Sequence, residues 1–140
     1  MAVEITNRTR RALKASLITK AVETTLRFGK IKGDVSVVIV GDTTIRRLNK
    51  IYRKKDKVTD VLSFREAEAE MPMRGFVGEL IIDSLQIERQ AIKFKHSVSW
   101  ELAFIVIHGT LHLIGYEDDT ERGRVLMEKL GYQLIKKIVR

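Results

Sequence analysis

The feature that most constrains this chain is the run HGTLHLIGYEDD, from His108 to Asp119. Two histidines stand four residues apart, and the stretch before them, Leu102 to Ile107, is apolar without a break. A run of that length with no polar stripe suits a central helix buried on most sides. Residues i and i+4 share a helix face, so His108 and His112 can aim their rings at one point. Gly115 follows where a helix commonly ends on a residue with positive φ, and the chain can then return Asp118 toward the rings. The pattern H-x-x-x-H-x-x-G-x-x-D has the spacing of the extended metzincin zinc motif, with Asp in the third ligand slot. Two neutral imidazoles and a carboxylate are acceptable zinc ligands and leave a fourth position open.

A pair of histidines on an apolar helix is more often a satisfied core feature than a metal site. The glycine and the acid at the matching offsets reverse that balance, and His108, His112 and Asp118 are read as the ligands of one zinc ion. One departure argues against a metalloprotease. The residue after the first histidine should then be a glutamate acting as general base, and here it is Gly109.

The 140 residues, 44% of them hydrophobic, are the size of one ordinary domain with a real core. No run approaches the roughly 18 apolar residues of a membrane span, and the N-terminus lacks the apolar core of a signal peptide. Cysteine is absent, so any metal must take nitrogen and oxygen ligands. A cytoplasmic protein without membrane contact is expected. The net charge of +8, from 26 basic and 18 acidic residues, points to a polyanionic partner.

In chain order, Val3 to Ile5 reads as a short strand, and about Arg8 to Phe28 as a helix with Leu13, Leu17, Ala21 and Phe28 on one stripe. Asp34 to Val40, rich in β-branched residues, reads as a buried strand. Asp42 is expected to cap a short helix carrying Ile45, Leu48, Ile51 and Tyr52. Between Arg46 and Lys57 lie seven basic residues and one acid. Lys54, Lys55 and Lys57 suit a solvated loop able to face a polyanion. Arg53, at the end of an apolar stripe, is expected to be held at the helix end, where a guanidinium can bind phosphate bidentately. Val61 to Phe64 ends this segment as a strand. Arg65 to Arg74, with the only proline, reads as a mobile hairpin loop. Phe76 to Asp83 is the next strand, with Gly78 marking a bulge or a close approach. Ser84 to Lys95 is helical, with Ile87, Ala91 and Phe94 on one stripe. Ser97 or Ser99 caps the central helix, and Asp119 or Thr120 starts a last helix carrying Met127, Leu130, Leu134 and Ile138. Residues 1–140 thus read as one α+β domain.

HGTLHLIGYEDD, together with YRKKDKVTDVLSF and the GELIID strand, resembles the YbeY family of bacterial rRNA maturation endoribonucleases, along nearly the whole chain. The resemblance implies a small mixed sheet of about four strands packed against helices, with a central buried metal-binding helix. It also implies a zinc-dependent, single-strand-specific endoribonuclease acting in ribosomal RNA maturation, including small-subunit 3′-end processing, and in ribosome quality control. Single-stranded rRNA and ribosome or small-subunit assembly factors are the implied partners. The family's first two zinc histidines fall on His108 and His112, and its usual third, in GYDH, falls on Asp118. The arginine of its YR-x-KD segment falls on Arg53, the catalytic candidate. Where the family usually has proline, this chain has Val58 and Arg65, an exchange expected to alter loop stiffness only. Two other readings remain: a ribosome-assembly module with a structural zinc site, and another metal-dependent hydrolase.

Overall fold

A computed structural model describes residues 2–139. It holds a four-stranded sheet and five helices in one α+β unit. In chain order these are β1 (Val3–Asn7), α1 (Ala15–Phe28), β2 (Asp34–Val40), α2 (Asp42–Arg53), β3 (Val61–Arg65), a 3-10 turn at Glu66–Glu68, β4 (Phe76–Asp83), α3 (Ser84–Phe94), α4 (Val98–Leu113) and α5 (Glu121–Ile135). The strand order is β1-β2-β4-β3, with β3 alone antiparallel to its neighbour. The sheet is therefore mixed.

Both faces of the sheet are covered, which suits the unbroken apolar runs from Val37 to Val40 in β2 and from Leu80 to Ile82 in β4. On one face Val35, Val37, Ile39, Leu80 and Ile82 pack against Ile18, Ile87, Ile107, Leu111 and Met127 from the helices. On the other, Val40, Leu62 and Ile81 pack under Ile45 of α2. Each side chain of this size stabilises the fold by about 1.5–3 kcal/mol when fully buried. Helix α4 is the centre of the first layer, in contact with α1, α3, α5, β3 and β4. It buries ten of its residues, including Leu102, Ala103 and Val106.

Several boundaries differ from the sequence reading. Helix α1 begins at Ala15 and not near Arg8. Asn7 accepts from the Thr9 N–H and hydroxyl and donates to the Arg11 carbonyl, so local side-chain bonds hold this segment in turns. Phe28 and Phe94 end their helices exposed, and the buried stripes run through Ile18, Val22 and Leu26 in α1 and Ile87 and Ala91 in α3. Asp42 is the first helical residue and not the cap, because its carboxylate is taken by both terminal nitrogens of Arg89 at 2.7 and 3.1 Å. Ser97 caps α4 and Thr120 caps α5. Gly78 sits at a register shift of β4, and a Cβ there would lie 2.4 Å from the Phe64 carbonyl oxygen. The close approach that its position in the strand implied is real.

Candidate metal centre

The two histidines lie on the last turns of α4 and are half-buried. Leu111, Thr110 and Val106 anchor the last turns inside, and Thr110 returns its hydroxyl to the Val106 carbonyl. Gly115, at φ 111°, then reverses the chain. Tyr116 N–H donates to the Leu111 carbonyl and Gly115 N–H to the His112 carbonyl, the bond pair of a Schellman ending. Arg65 closes the end from outside, donating its Nε–H to the Leu113 carbonyl at 3.2 Å. This corrects the view that position 65 concerns loop stiffness alone, since a proline could not make that contact. A cation at a helix C-terminus also meets the negative end of the dipole.

The reversal brings Asp118 back onto the rings. His108 Nε2 and His112 Nε2 lie 3.2 Å apart, and Asp118 Oδ2 is 3.4 Å from each. Ligand atoms 2.0–2.1 Å from a tetrahedral zinc stand about 3.3–3.4 Å apart, so three edges of one coordination tetrahedron are present. Among the described residues this trio is the group of side chains able to hold a metal. His112 Nδ1 is 2.9 Å from the Tyr116 carbonyl oxygen, which can only accept. The proton of the neutral ring is thereby placed on Nδ1, leaving the Nε2 lone pair for a metal. Burial first, and the neighbouring His112 second, push the His108 pKa below its ordinary value. Both effects favour the neutral imidazole that a metal requires.

Gly109 has a steric reason. It faces the sheet, where a Cβ would meet Leu80 Cδ2 at 2.9 Å and Val61 Cγ2 at 3.1 Å, and its carbonyl accepts from the Ser63 hydroxyl. Any larger residue there would have to displace Leu80 and Val61, so the glycine in place of the protease base suits the close packing of α4 on β3 and β4. Gly123 plays a related part that was not legible in the sequence. A Cβ on it would lie 2.3 Å from the Glu117 carbonyl oxygen, so its hydrogen lets α5 close against the loop carrying Asp118.

The trio opens into a cleft of about 540 Å³ whose walls include Arg53, Lys55, Lys57 and Arg65, with Asp60, Glu68 and Glu117. Arg53 is held as its position suggested: Nη2 donates to the Ser63 carbonyl at 2.6 Å, and the guanidinium lies 4.9 Å from the Phe64 ring centroid. Lys54 does not line the cleft; it ends α2 in the left-handed conformation. Glu117 faces the cleft, whereas Asp119 does not line it and Glu79 accepts from Ser36 on the sheet. Asp60 also belongs to this site. It lines the cleft, and its carboxylate accepts from Val61 N–H and Gln90; an acid at the end of a basic loop carries no signal of that placement.

Fold and site together define a class: an α+β unit whose buried helix and following turn present three side chains able to hold a metal to an open cleft. The family described as Endoribonuclease YbeY matches residues 3–139. An endoribonuclease YbeY of Roseiflexus castenholzii is 41% identical over 118 residues, 79% of this chain and 73% of that protein. One of Lacticaseibacillus casei is 43% identical over 108 residues, 73% of this chain and 71% of that protein. The solution structure of a Thermotoga maritima protein aligns with a TM-score of 0.61 at 25% identity, covering 96% of this chain and 90% of that one. The chain belongs to the YbeY endoribonuclease family, whose named activity is hydrolysis of phosphodiester bonds in RNA. No helix among the described residues is long and apolar enough to cross a membrane.

Proposed function

We propose that residues 1–140 form one zinc-dependent, single-strand-specific endoribonuclease, acting in the cytoplasm on ribosomal RNA during small-subunit 3′-end maturation and ribosome quality control. Ribosome or small-subunit assembly factors are its proposed protein partners. The observation that carries the metal is the set of 3.2, 3.4 and 3.4 Å separations among His108, His112 and Asp118. A nitrogen and oxygen donor set of that size fits one zinc ion. Bound there, zinc supplies Lewis acidity and a nucleophile available at neutral pH.

The chain's own residues do the rest. Arg53 is the proposed catalytic guanidinium: its bond to the Ser63 carbonyl and its place over Phe64 fix the fork on the cleft wall. From there it stabilises charge developing on the non-bridging phosphate oxygens. Lys55 and Lys57 on the same wall, and Lys54 beyond it, hold flanking phosphates without reading sequence. The open cleft favours catalysis over a structural zinc site, which would be closed by a fourth protein ligand.

The test is a labelled single-stranded RNA incubated with zinc-loaded and with chelated protein. Cleavage confined to the loaded protein, with a duplex of the same sequence resisting, is expected. Equal cleavage after chelation would overturn the metal's role, and no cleavage by either would overturn the activity.

A further inference from the structure

A second cavity, of about 630 Å³, lies between α3, α4 and α5 and has Asp60 and His108 in common with the metal cleft. Its walls are aromatic. His96, Trp100 and Phe104 form one stack, with centroid distances of 3.9 and 4.9 Å and interplanar angles of 18° and 10°. Tyr132 leans on Phe104 at 5.2 Å. Trp100 and Phe104 pack against the core, whereas Phe94 and Tyr132 keep 52% and 44% of their surface in solvent. Two partly exposed rings thus border a cavity already walled by a stack, on the surface of a helix that is otherwise buried.

We propose that this groove receives a nucleobase of the RNA strand next to the scissile phosphodiester, a reading that rests on the proposed endoribonuclease activity. Continuity is the first argument. His108 faces both spaces, so a strand whose phosphate sits at the metal trio has the groove immediately beside it. The division of charge is the second. Arg53, Lys55, Lys57 and Arg65 stand in the cleft beside Asp60, Glu68, Glu117 and Asp118, whereas the groove has Arg124 alone against Asp60, Glu101 and Glu128. The cleft offers phosphate four cations and the groove one cation outnumbered by acids, so the groove suits the uncharged base. Single-stranded RNA is generally held in this manner, with unstacked bases on aromatic side chains and phosphates in a basic channel. Stacking tolerates any base, since every base has a π-face.

Trp100 is the only tryptophan of the chain, so its fluorescence reports on the groove directly. The experiment titrates a short single-stranded RNA into chelated protein while following Trp100 emission, and measures cleavage of the same RNA with zinc. Phe94→Ala and Tyr132→Ala are the variants, both at exposed positions where folding is preserved. Quenching by RNA is expected, with binding roughly five- to a hundredfold weaker in the variants and zinc stoichiometry unchanged. Cleavage by the wild type with emission unmoved and both variants as active as the parent would overturn the groove and leave the proposed activity standing. Quenching without cleavage would support the groove and remove the activity. An apolar peptide that quenches Trp100 where RNA does not would assign the groove to a protein partner and overturn the proposal.

Discussion

Asp118 falls where the resemblance to the family implies a third imidazole, and its oxygen lies 3.4 Å from both histidine nitrogens. A carboxylate is a harder donor than imidazole, so under the proposed zinc site an acid in this position would shift metal preference toward harder ions. Asp118→Ala should abolish near-stoichiometric zinc in elemental analysis, and Asp118→His should retain it. Asp119→Ala should keep the metal, and it should also keep the α5 cap, because Thr120 supplies the bond to Gly123 N–H. Zinc retained in Asp118→Ala and lost in Asp119→Ala would place the turn one residue further on. Arg53 has its own contrast. A hydrogen bond to a charged group is worth about 1.5–3 kcal/mol, so Arg53→Ala should slow cleavage roughly ten- to a hundredfold. Lys54→Ala, outside the cleft wall, should change the rate little at physiological salt. Equal losses confined to low salt would reduce Arg53 to part of a diffuse basic patch.

At the scale of elements, the metal loop is held between two helix ends. Arg65 closes the end of α4 at the Leu113 carbonyl, and α5 begins against the Glu117 carbonyl through Gly123. The ligand loop is therefore positioned by a contact that admits no Cβ. Gly123→Ala should push Glu117 outward and weaken zinc by roughly ten- to a hundredfold, the usual effect of disturbing a ligand's supports, measured by competition with a chelating dye. Gly41→Ala is the control, since a Cβ there meets nothing within 4 Å. Unchanged affinity in Gly123→Ala would show that α5 does not set the position of Asp118.

At the scale of the whole molecule, the carboxylates of Asp42 and Asp83 join α2 to the start of α3 around Arg89. Asp83 is fully buried, and its Oδ2 is 3.9 Å from the guanidinium, beyond hydrogen-bond reach. Burial first, and Asp42 beside it second, push the Asp83 pKa from 3.8 up to about 7. The folded state thus keeps a proton that the unfolded chain releases near pH 3.8. That contribution is fully present below pH 3.8 and is lost as pH rises through about 7. The slope is at most about 1.4 kcal/mol per pH unit. Asp42, held below its ordinary value by the Arg89 hydrogen bond, acts in the opposite sense and only below pH 3.8. Asp83→Asn keeps a side-chain acceptor for Leu85 N–H. Thermal melts at pH 5 and pH 7.5 should show a smaller difference in this variant than in the parent. Equal differences would show that the pair does not hold the extra proton.

Much of this could be read from the chain alone, because periodicity and spacing are local. The unbroken apolar run from Leu102 to Ile107 implied burial on most sides, and α4 is the central helix. The offsets of His112, Gly115 and Asp118 from His108 implied a turn back to one point, and a Schellman ending makes that turn. The β-branched run from Asp34 to Val40 implied a buried strand, since β-branched side chains favour the pleated conformation. Other features arise from partners distant in sequence. Asp42 forsakes its cap for Arg89, 47 residues on. Arg65 exchanges a loop's stiffness for a carbonyl 48 residues away. Gly109 and Gly123 are small because of what packs against them, and Asp60 lines the cleft only when β3 lies beside α4. The groove of Phe94 and Tyr132 exists because three helices leave it between them. Spacing along the chain specified the donors, whereas packing between elements decided what surrounds them, since a side chain's neighbours across the fold leave no mark on its local period.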